Sequence, residues 1–194
     1  MRGKGSEDMP KQKITREMIL DEGFRLASQE GMDQVQVKII AKNLNCSVQP
    51  IYSYFKNMND LKDEIVRKAT DLFLKEVYAD TKSKPYLLSL FHAFLVQSQE
   101  NYNLYRCFLY DIENNPRSLY SLFTEQARKQ AAAQLGLSEG QAEILLDNLF
   151  IYLLGLIKLV HHDDLQLKEA MVHLDNACDA FLRYARRPQT GIVI

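Results

Sequence analysis

The sequence predicts an all-α protein of about nine helices, in which a small N-terminal three-helix domain precedes a larger helical domain. Apolar residues recur at the three- and four-residue spacing of amphipathic helices, and there is almost no strand-like alternation. Hydrophobic residues make up 46% of the 194-residue chain, which excludes a disordered protein. Proline, glycine and helix-capping residues divide the pattern into separate segments.

The N-terminal segment predicts one longer helix followed by two short helices that meet at a sharp turn. The longer helix begins at a Thr15 cap and ends at Gly31. The first short helix covers Val37–Asn43, and the turn over residues 44–46 leads to Ser47. Because a serine hydroxyl can accept a backbone N–H, we expect Ser47 to cap the second short helix. Such a helix-turn-helix unit places a helix in the DNA major groove.

The second short helix has an inward and an outward side. Ile51 and Phe55 are four residues apart and point inward. On the outward side, Gln49 has a donor and an acceptor that can pair with adenine, while Val48 and Pro50 can contact a thymine methyl group. Pro50 falls in the first turn, where its missing N–H has no intrahelical partner. The outward side is therefore a candidate reader of bases.

Other polar side chains around the two short helices suit phosphate oxygens, which set the register on DNA but carry no sequence information. The predicted DNA contacts of this kind are Lys38, Ser47, Tyr52, Tyr54 and Lys56. A generic pair of short helices is equally compatible with ordinary packing. The wider string of residues decides between the two readings.

Residues 14–61 resemble the N-terminal domain of the TetR family of transcriptional regulators. The resemblance covers about a quarter of the chain and implies a homodimer that binds a palindromic DNA operator and uses its last two long helices as the dimer interface. The matching residues are Ile14-Thr15, Glu30-Gly31, Ile40-Ala41, Ser47, Ile51-Tyr52, Tyr54-Phe55, Lys56-Asn57 and Asp60-Leu61.

Three positions depart from the usual pattern of that family. Gln36 stands where a threonine commonly caps the second helix, which puts that cap and its phosphate contact in question. Asn45 stands where glycine is common in the turn, and asparagine tolerates the left-handed region. Val48-Gln49 replaces proline-glycine at positions where family members differ. We expect this last departure to affect which DNA sequence is bound.

The net charge of −1 does not by itself indicate a nucleic-acid-binding protein. Residues 1–62 hold ten Lys and Arg against eight Asp and Glu, or +2, and residues 63–194 hold fourteen against seventeen, or −3. We therefore expect DNA binding through a few local contacts that a dimer doubles, with a modest salt dependence.

The three cysteines, Cys46, Cys107 and Cys178, are far apart and form no CxxC motif, which predicts reduced thiols in a cytoplasmic protein. The N-terminal residues lack the apolar segment of a signal peptide or membrane anchor. No phosphate-binding glycine loop or hydrolase motif is present, so no enzyme activity, cofactor or metal is predicted. The sequence His161-His162-Asp163-Asp164 is interpreted as a helix end, because adjacent side chains on a helix diverge.

The remaining helices follow from caps and breaks. The predicted domains are an arm over 1–13, the helix-turn-helix domain over 14–60, a regulatory and dimerisation domain over 61–187 and a tail over 188–194. The predicted helices run from about Asn59 to Asp80, over Leu87–Gln97 up to a break at Asn101-Tyr102-Asn103, from Pro116 to near Gly136, from a Ser138/Gln141 capping box to about His161, and from Gln166 to Arg186.

The apolar run over residues 144–160 is a candidate for a membrane span or for a helix buried on several sides. We reject the span, because about seventeen residues are too few and Asp147, Asn148 and Lys158 interrupt them. A helix apolar nearly all round predicts contacts with its own domain and with a second copy, although both last helices could fill a monomeric core. The predicted dimer interface is Leu149, Leu153, Leu156, Leu174, Cys178 and Phe181.

The middle helices are rich in aromatic residues that could line a pocket for a small apolar or amphipathic effector, although core packing explains most of them. The candidate pocket residues are His92, Tyr102, Tyr105, Phe108, Phe123 and Phe150. The sequence and the resemblance together predict a repressor that a small ligand releases from its operator. The alternatives are a DNA-binding regulator controlled by protein partners, without an inducer, and a helical enzyme with a vestigial reader domain.

Overall fold

The computed structural model describes residues 13–81, 86–114 and 119–187, without the side chains of residues 80, 112–114, 119–123 and 126. These residues form nine α-helices, one short 3-10 helix and no strand, which confirms the all-α prediction. The helices are α1 Arg16–Glu30, α2 Val37–Asn43, α3 Gln49–Tyr54, α4 Met58–Asp80, α5 Tyr86–Glu100, α6 Tyr102–Asn114, α7 Leu119–Leu135, α8 Glu139–His161 and α9 Leu167–Ala185, with the 3-10 helix at Met32–Gln34.

Two predicted helix caps are confirmed. The Thr15 hydroxyl accepts a hydrogen bond from the Met18 N–H at 3.2 Å at the start of α1. At the start of α8, the Ser138 hydroxyl accepts from the Gln141 N–H and the Gln141 side chain accepts from the Ser138 N–H, which is a reciprocal capping box. These bonds satisfy N–H groups that have no partner within their helix.

The predicted break at Asn101-Tyr102-Asn103 is narrower in the structure, because only Asn101 lies between α5 and α6. Its side-chain amide donates to the Gln97 side-chain oxygen at 2.6 Å and its N–H donates to the Gln97 carbonyl, which closes α5. Its carbonyl accepts from the Tyr105 N–H, which opens α6. One residue therefore ends one helix and begins the next. The predicted start at Pro116 lies outside the described residues.

The core of the larger domain is built on five aromatic rings, which we call the aromatic cluster. Phe73 of α4, Phe94 of α5, Phe108 and Tyr105 of α6 and Phe150 of α8 are buried, with neighbouring ring centroids 5.0 to 6.3 Å apart. Several pairs are edge-to-face, the geometry that aromatic quadrupoles favour. Burial, with the nearby Tyr102, raises the pKa of Tyr105 to about 12.

The α8 helix is, among the described residues, the one helix long and apolar enough to cross a membrane by length and composition. The expectation that it is too short was wrong, because α8 has 23 residues and is about 34 Å long at 1.5 Å per residue. Its burial is the better argument against a span. Leu145, Leu149, Leu153 and Ile157 are almost completely buried within the single chain, as in a core helix of a globular protein.

The α4 helix runs from the first three helices into the aromatic cluster. Leu61 and Ile65 in its first half are fully buried, and Phe73 lies two turns further on. A Cβ atom on Gly23 of α1 would lie 2.4 Å from Cδ1 of Ile65, so a larger residue there would require the Ile65 side chain to shift. The predicted domain boundary after residue 60 falls in the first turn of α4, which therefore belongs to both domains.

Candidate DNA-binding site

The turn between α2 and α3 is formed by residues 44–48. Asn45 has φ 50°, in the left-handed region, so the expectation that asparagine takes this position is confirmed. The Cys46 N–H donates to the Ala41 carbonyl at 2.9 Å and ends α2. The turn thereby closes on α2 before the chain enters α3.

The expectation that Ser47 caps α3 was wrong. Val48 occupies the cap position with helical φ −72° and ψ −16°, and no side chain caps this end. The first α3 hydrogen bonds run from the N–H groups of Ile51 and Tyr52 to the Val48 carbonyl. Because the chain is already helical at Val48, the Ser47 side chain lies one residue too early to cap, and it is exposed on the surface.

The α3 helix has one buried side and one exposed side. Ile51 and Phe55 are 1% and 3% exposed, whereas Val48, Tyr52 and Tyr54 are 41%, 51% and 42% exposed. Gln49 is also exposed, and Pro50 is half-buried in the first turn. The division into an inward and an outward side agrees with the sequence analysis. Contact of the outward side with DNA stays a prediction.

Two of the predicted phosphate contacts are lysines that lie outside α3. Lys38 is exposed on α2, and Lys56 is exposed in the turn between α3 and α4. Gln36 precedes α2 without capping it, since its side-chain amide donates to the Asp33 carbonyl at 3.0 Å. The departure at Gln36 therefore removes a side-chain cap from α2.

The C-terminal end of α3 is attached to α1 and α4 by contacts that the sequence analysis missed. The Tyr54 hydroxyl donates to the Ile14 carbonyl at 3.3 Å, while the side chain remains 42% exposed. The Arg16 guanidinium lies 4.8 Å from the centroid of the Phe55 ring and forms an ion pair with Glu64 of α4. These partners are 39 to 48 residues apart, so no local pattern pointed to them.

The α2 helix is attached to α1 through Glu22. Arg25 donates two hydrogen bonds to this carboxylate, at 2.8 and 3.0 Å, and the Asn43 amide at the end of α2 donates a third at 2.7 Å. The hydrogen bonds from Arg25 are the main reason that the pKa of Glu22 is lowered from its usual range. The ionised carboxylate therefore connects the two helices.

The α1 helix is attached in turn to α4 and to α6. Lys68 of α4 pairs with Asp21 at 2.6 Å and lies 4.9 Å from the centroid of the Phe24 ring. At the other end of α1, the Asn103 amide of α6 donates to the Ser28 carbonyl at 3.2 Å. A polar groove of about 360 Å³ lies beside this contact, between the end of α1 and the α5–α6 turn. The helix-turn-helix domain thus contacts the larger domain through α4 and α6.

Comparison with known proteins agrees with this geometry. Residues 19–65 match the family model described as bacterial regulatory proteins, tetR family. The uncharacterized HTH-type transcriptional regulator YobS of Bacillus subtilis (strain 168) is 26% identical over 115 residues, which cover 58% of this chain and 60% of YobS. The chain thus matches less than two thirds of the length of that relative.

Solved structures extend the likeness to most of the chain. The multidrug binding protein EbrR complexed with imidazole has a TM-score of 0.62 at 18% identity, covering 92% of this chain and 99% of EbrR. A TetR-like transcriptional regulator from Rhodococcus sp. RHA1 has a TM-score of 0.63 at 14% identity, covering 88% and 99%. A tetR-family transcriptional regulator from Streptomyces coelicolor has a TM-score of 0.62 at 16% identity, covering 91% of each chain. At these identities the structures establish the shared fold.

The N-terminal region of the chain, over residues 19–65, is thus a domain of the TetR family. The family model covers α3 together with most of α1, the whole of α2 and the first turns of α4. The helix-turn-helix unit defined above therefore lies within the region that matches the family model. The family consists of regulators and not of enzymes, which agrees with the sequence analysis.

The five predicted ligand-pocket residues whose side chains the structure describes are distributed over three different contacts. Tyr105, Phe108 and Phe150 pack within the aromatic cluster. The His92 ring on α5 instead pairs with Asp175 of α9 at 2.6 Å, and the Tyr102 ring stacks on His161 with centroids 3.6 Å apart. The side chain of Phe123 lies outside the described part of the chain. The sequence pattern identified aromatic residues but not which of them contact one another.

The predicted dimer interface needs correction. Four of its members, Leu149, Leu153, Leu156 and Leu174, are at most 4% exposed in the single chain, so they pack inside the protomer and cannot contact a second copy. Cys178 and Phe181 are partly buried. The apolar residues that α8 and α9 do expose are Ile151, Leu159, Val172 and Tyr184. An open groove of about 540 Å³ beside them is lined by Asn148, Ala180, Phe181, Arg183, Tyr184 and Arg187.

The segment at the end of α8, residues 161–164, carries side chains of the types that bind metal ions. Among the described residues, no group of three or more His, Cys, Asp and Glu is placed to hold a metal ion. His161 is the last residue of α8, His162 follows it as the cap, and Asp163 has φ 59°. The His-Asp segment therefore forms the helix end that the sequence analysis expected.

Proposed function

We propose that this TetR-family chain is a sequence-selective DNA-binding transcription regulator that acts as a homodimer in the cytoplasm. The exposed outward side of α3 is the observation that carries the proposal. A helix that buries two side chains and exposes Val48, Gln49 and Tyr52 has a face free to enter a major groove. By default the protein is a repressor.

In this proposal, the side chains at the N-terminal end of α3 contact bases. Tyr52 and the lysines contact phosphates and position the domain on the DNA. Operators are found by selecting bound fragments from a random DNA pool. Gln49→Ala should then cost about 1–3 kcal/mol at one base pair of the operator and relax its specificity. Tyr52→Phe and Lys56→Ala should weaken binding to all sequences alike. Equal losses on the operator and on random DNA from all three variants would contradict this division.

A second copy is proposed to dock on the exposed face of α8 and α9. Ile151 is 70% exposed and Val172 is 55% exposed on neighbouring helices, so this face leaves two large apolar side chains in contact with water. The exposed face of α9 carries Asp179 and then Arg183 at a spacing of four residues. An antiparallel two-fold pairing would bring the acidic group of one copy toward the basic group of the other.

The dimer is tested by Ile151→Glu, which places a charge in the proposed interface. We expect sedimentation to show monomers for this variant and dimers for the wild type, with operator affinity lost because two α3 helices must stand roughly 34–36 Å apart. Ala133→Glu on the exposed side of α7 is the matched control and should remain dimeric. A dimeric Ile151→Glu protein would remove this face from consideration.

A small amphipathic effector is proposed to bind in the larger domain and to release the DNA. The fold relative EbrR is described as a multidrug binding protein and was solved with imidazole, which supports this class of effector. The α4 helix joins the helix-turn-helix domain to the aromatic cluster. A ligand that favours a different position of α4 would therefore change the separation of the two α3 helices in the dimer. A nearly complete switch requires a preference of about 5 kcal/mol for one state.

The effector is tested by repeating the DNA selection in the presence of metabolite mixtures. A mixture that releases the operator identifies the effector class by fractionation. If no mixture does so while a protein fraction does, control by protein partners replaces control by a small ligand.

A further inference from the structure

The α3 helix cannot hold its own direction. It has six residues, whereas isolated helices shorter than about 12–15 residues are marginal in water. No side chain caps its first turn, and only Ile51 and Phe55 bury against the domain. Contacts with other helices must therefore set the angle at which α3 is presented.

Such contacts are concentrated at its C-terminal end. We call Arg16, Phe55 and Glu64 the Arg16 clamp. The guanidinium of Arg16, at the start of α1, lies over the Phe55 ring and pairs with the carboxylate of Glu64 on the second turn of α4. The bond from the Tyr54 hydroxyl to the Ile14 carbonyl lies beside it. The end of α3 is thus joined to the start of α1, and through Arg16 to α4.

We propose that Arg16 is a positioning residue that fixes the direction of α3 for DNA binding, and that Glu64 acts through Arg16. This rests on the proposed function. The clamp restricts α3 to the orientation that enters the groove. Without it, only a fraction of the molecules is competent to bind DNA, and the apparent affinity is reduced in proportion to that fraction. A cation–π contact and an exposed ion pair together correspond to about a three- to tenfold change in an equilibrium.

Replacement of Glu64 separates positioning from simple electrostatics, because the two predict opposite signs. Glu64→Gln removes a negative charge close to the DNA, which electrostatics alone would turn into tighter binding. Positioning predicts about three- to tenfold weaker operator binding with an unchanged salt slope. Asp63→Asn is the matched control: it removes the same charge one residue earlier, from an exposed side chain, and should bind the operator as tightly as the wild type or more tightly.

Arg16 is tested by Arg16→Lys, which keeps the charge but loses the planar group that lies on Phe55. We expect a loss on the operator similar to that of Glu64→Gln and a smaller loss on random DNA. If Arg16→Lys and Glu64→Gln bind the operator as well as the wild type, or if Glu64→Gln binds as tightly as Asp63→Asn, the assignment is overturned.

A measurement without DNA keeps this test separate from the proposed function. The Phe55 N–H donates to the Ile51 carbonyl at 3.0 Å at the end of α3. Hydrogen exchange at Phe55 should be faster in Glu64→Gln than in Asp63→Asn, while the melting temperatures of the two variants stay close. Equal exchange rates would overturn the clamp. If exchange is faster in Glu64→Gln but DNA selection yields no operator for the wild-type protein, only the proposed DNA-binding function is overturned.

Discussion

The two regions of this chain are both built on buried apolar residues, but they differ in the other contacts that join their helices. The helices of the DNA-binding region are joined at their surfaces by ion pairs and hydrogen bonds, such as those of Glu22, Lys68 and Arg16. The larger region is joined by the rings of its aromatic cluster. Exposed ion pairs are individually weak and respond to salt and pH, whereas buried rings respond to volume. The surface contacts of the first region are thus more sensitive to salt and pH, and the packing of the second region is more sensitive to substitutions that change side-chain volume.

The largest expected effect breaks the aromatic cluster. Phe94→Ala should lower the free energy of unfolding by about 3–5 kcal/mol, because Phe94 is fully buried and its ring contacts three others closely. Ile51→Val in the DNA-binding region should cost only about 0.5–1.5 kcal/mol. Urea unfolding measures both. A loss of less than about 1 kcal/mol from Phe94→Ala would mean that the aromatic cluster repacks around the missing ring.

A smaller effect is expected where the regions meet along α1 and α4. Gly23→Ala places a methyl group against Cδ1 of the fully buried Ile65, at a cost of about 1–3 kcal/mol, partly offset by the higher helix propensity of alanine. The net loss should be about 1–2 kcal/mol. Gly140→Ala is the control, because no atom lies within 4 Å of its Cβ position. A more stable Gly23→Ala protein would mean that the end of the Ile65 side chain shifts at little cost.

The smallest effect sharpens the comparison through pH. The folded pKa of Glu22 is lowered, so its contribution is fully present above the unfolded pKa and is lost as the pH falls through the folded value. Glu22→Gln should therefore cost at most about 1 kcal/mol at pH 7. The difference from the wild type should shrink below about pH 4. Thermal unfolding across this range measures it, and Glu76→Gln, on an exposed side chain of α4, should show no such trend.

The sequence predicted helix ends correctly where the capping residue and the group that it binds are close together in the chain. Thr15 and the Ser138/Gln141 pair lie within four residues of the groups they bond, so their caps could be read from spacing. Ser47 failed because Val48 is already helical, and a side-chain type does not reveal the backbone angle of the next residue. Cap residues therefore located helix ends to within a residue or two.

The sequence predicted less where the answer depends on which side of a helix faces which neighbour. A helix that is apolar nearly all round, such as α8, has no phase that separates its own core from a partner. Leu153 and Ile151 looked equivalent, yet the first is buried and the second is 70% exposed. The contacts of Arg16 join residues far apart in the chain and required the folded structure.

The shallow burial of α3 has a consequence for how such a protein diverges. Substitutions at exposed positions such as Val48, Gln49 and Tyr52 usually change stability by no more than about 0.5 kcal/mol. If these side chains contact the operator as proposed, a duplicated gene can acquire a new operator by altering them while the scaffold beneath them is retained. Recognition can drift between lineages faster than architecture does.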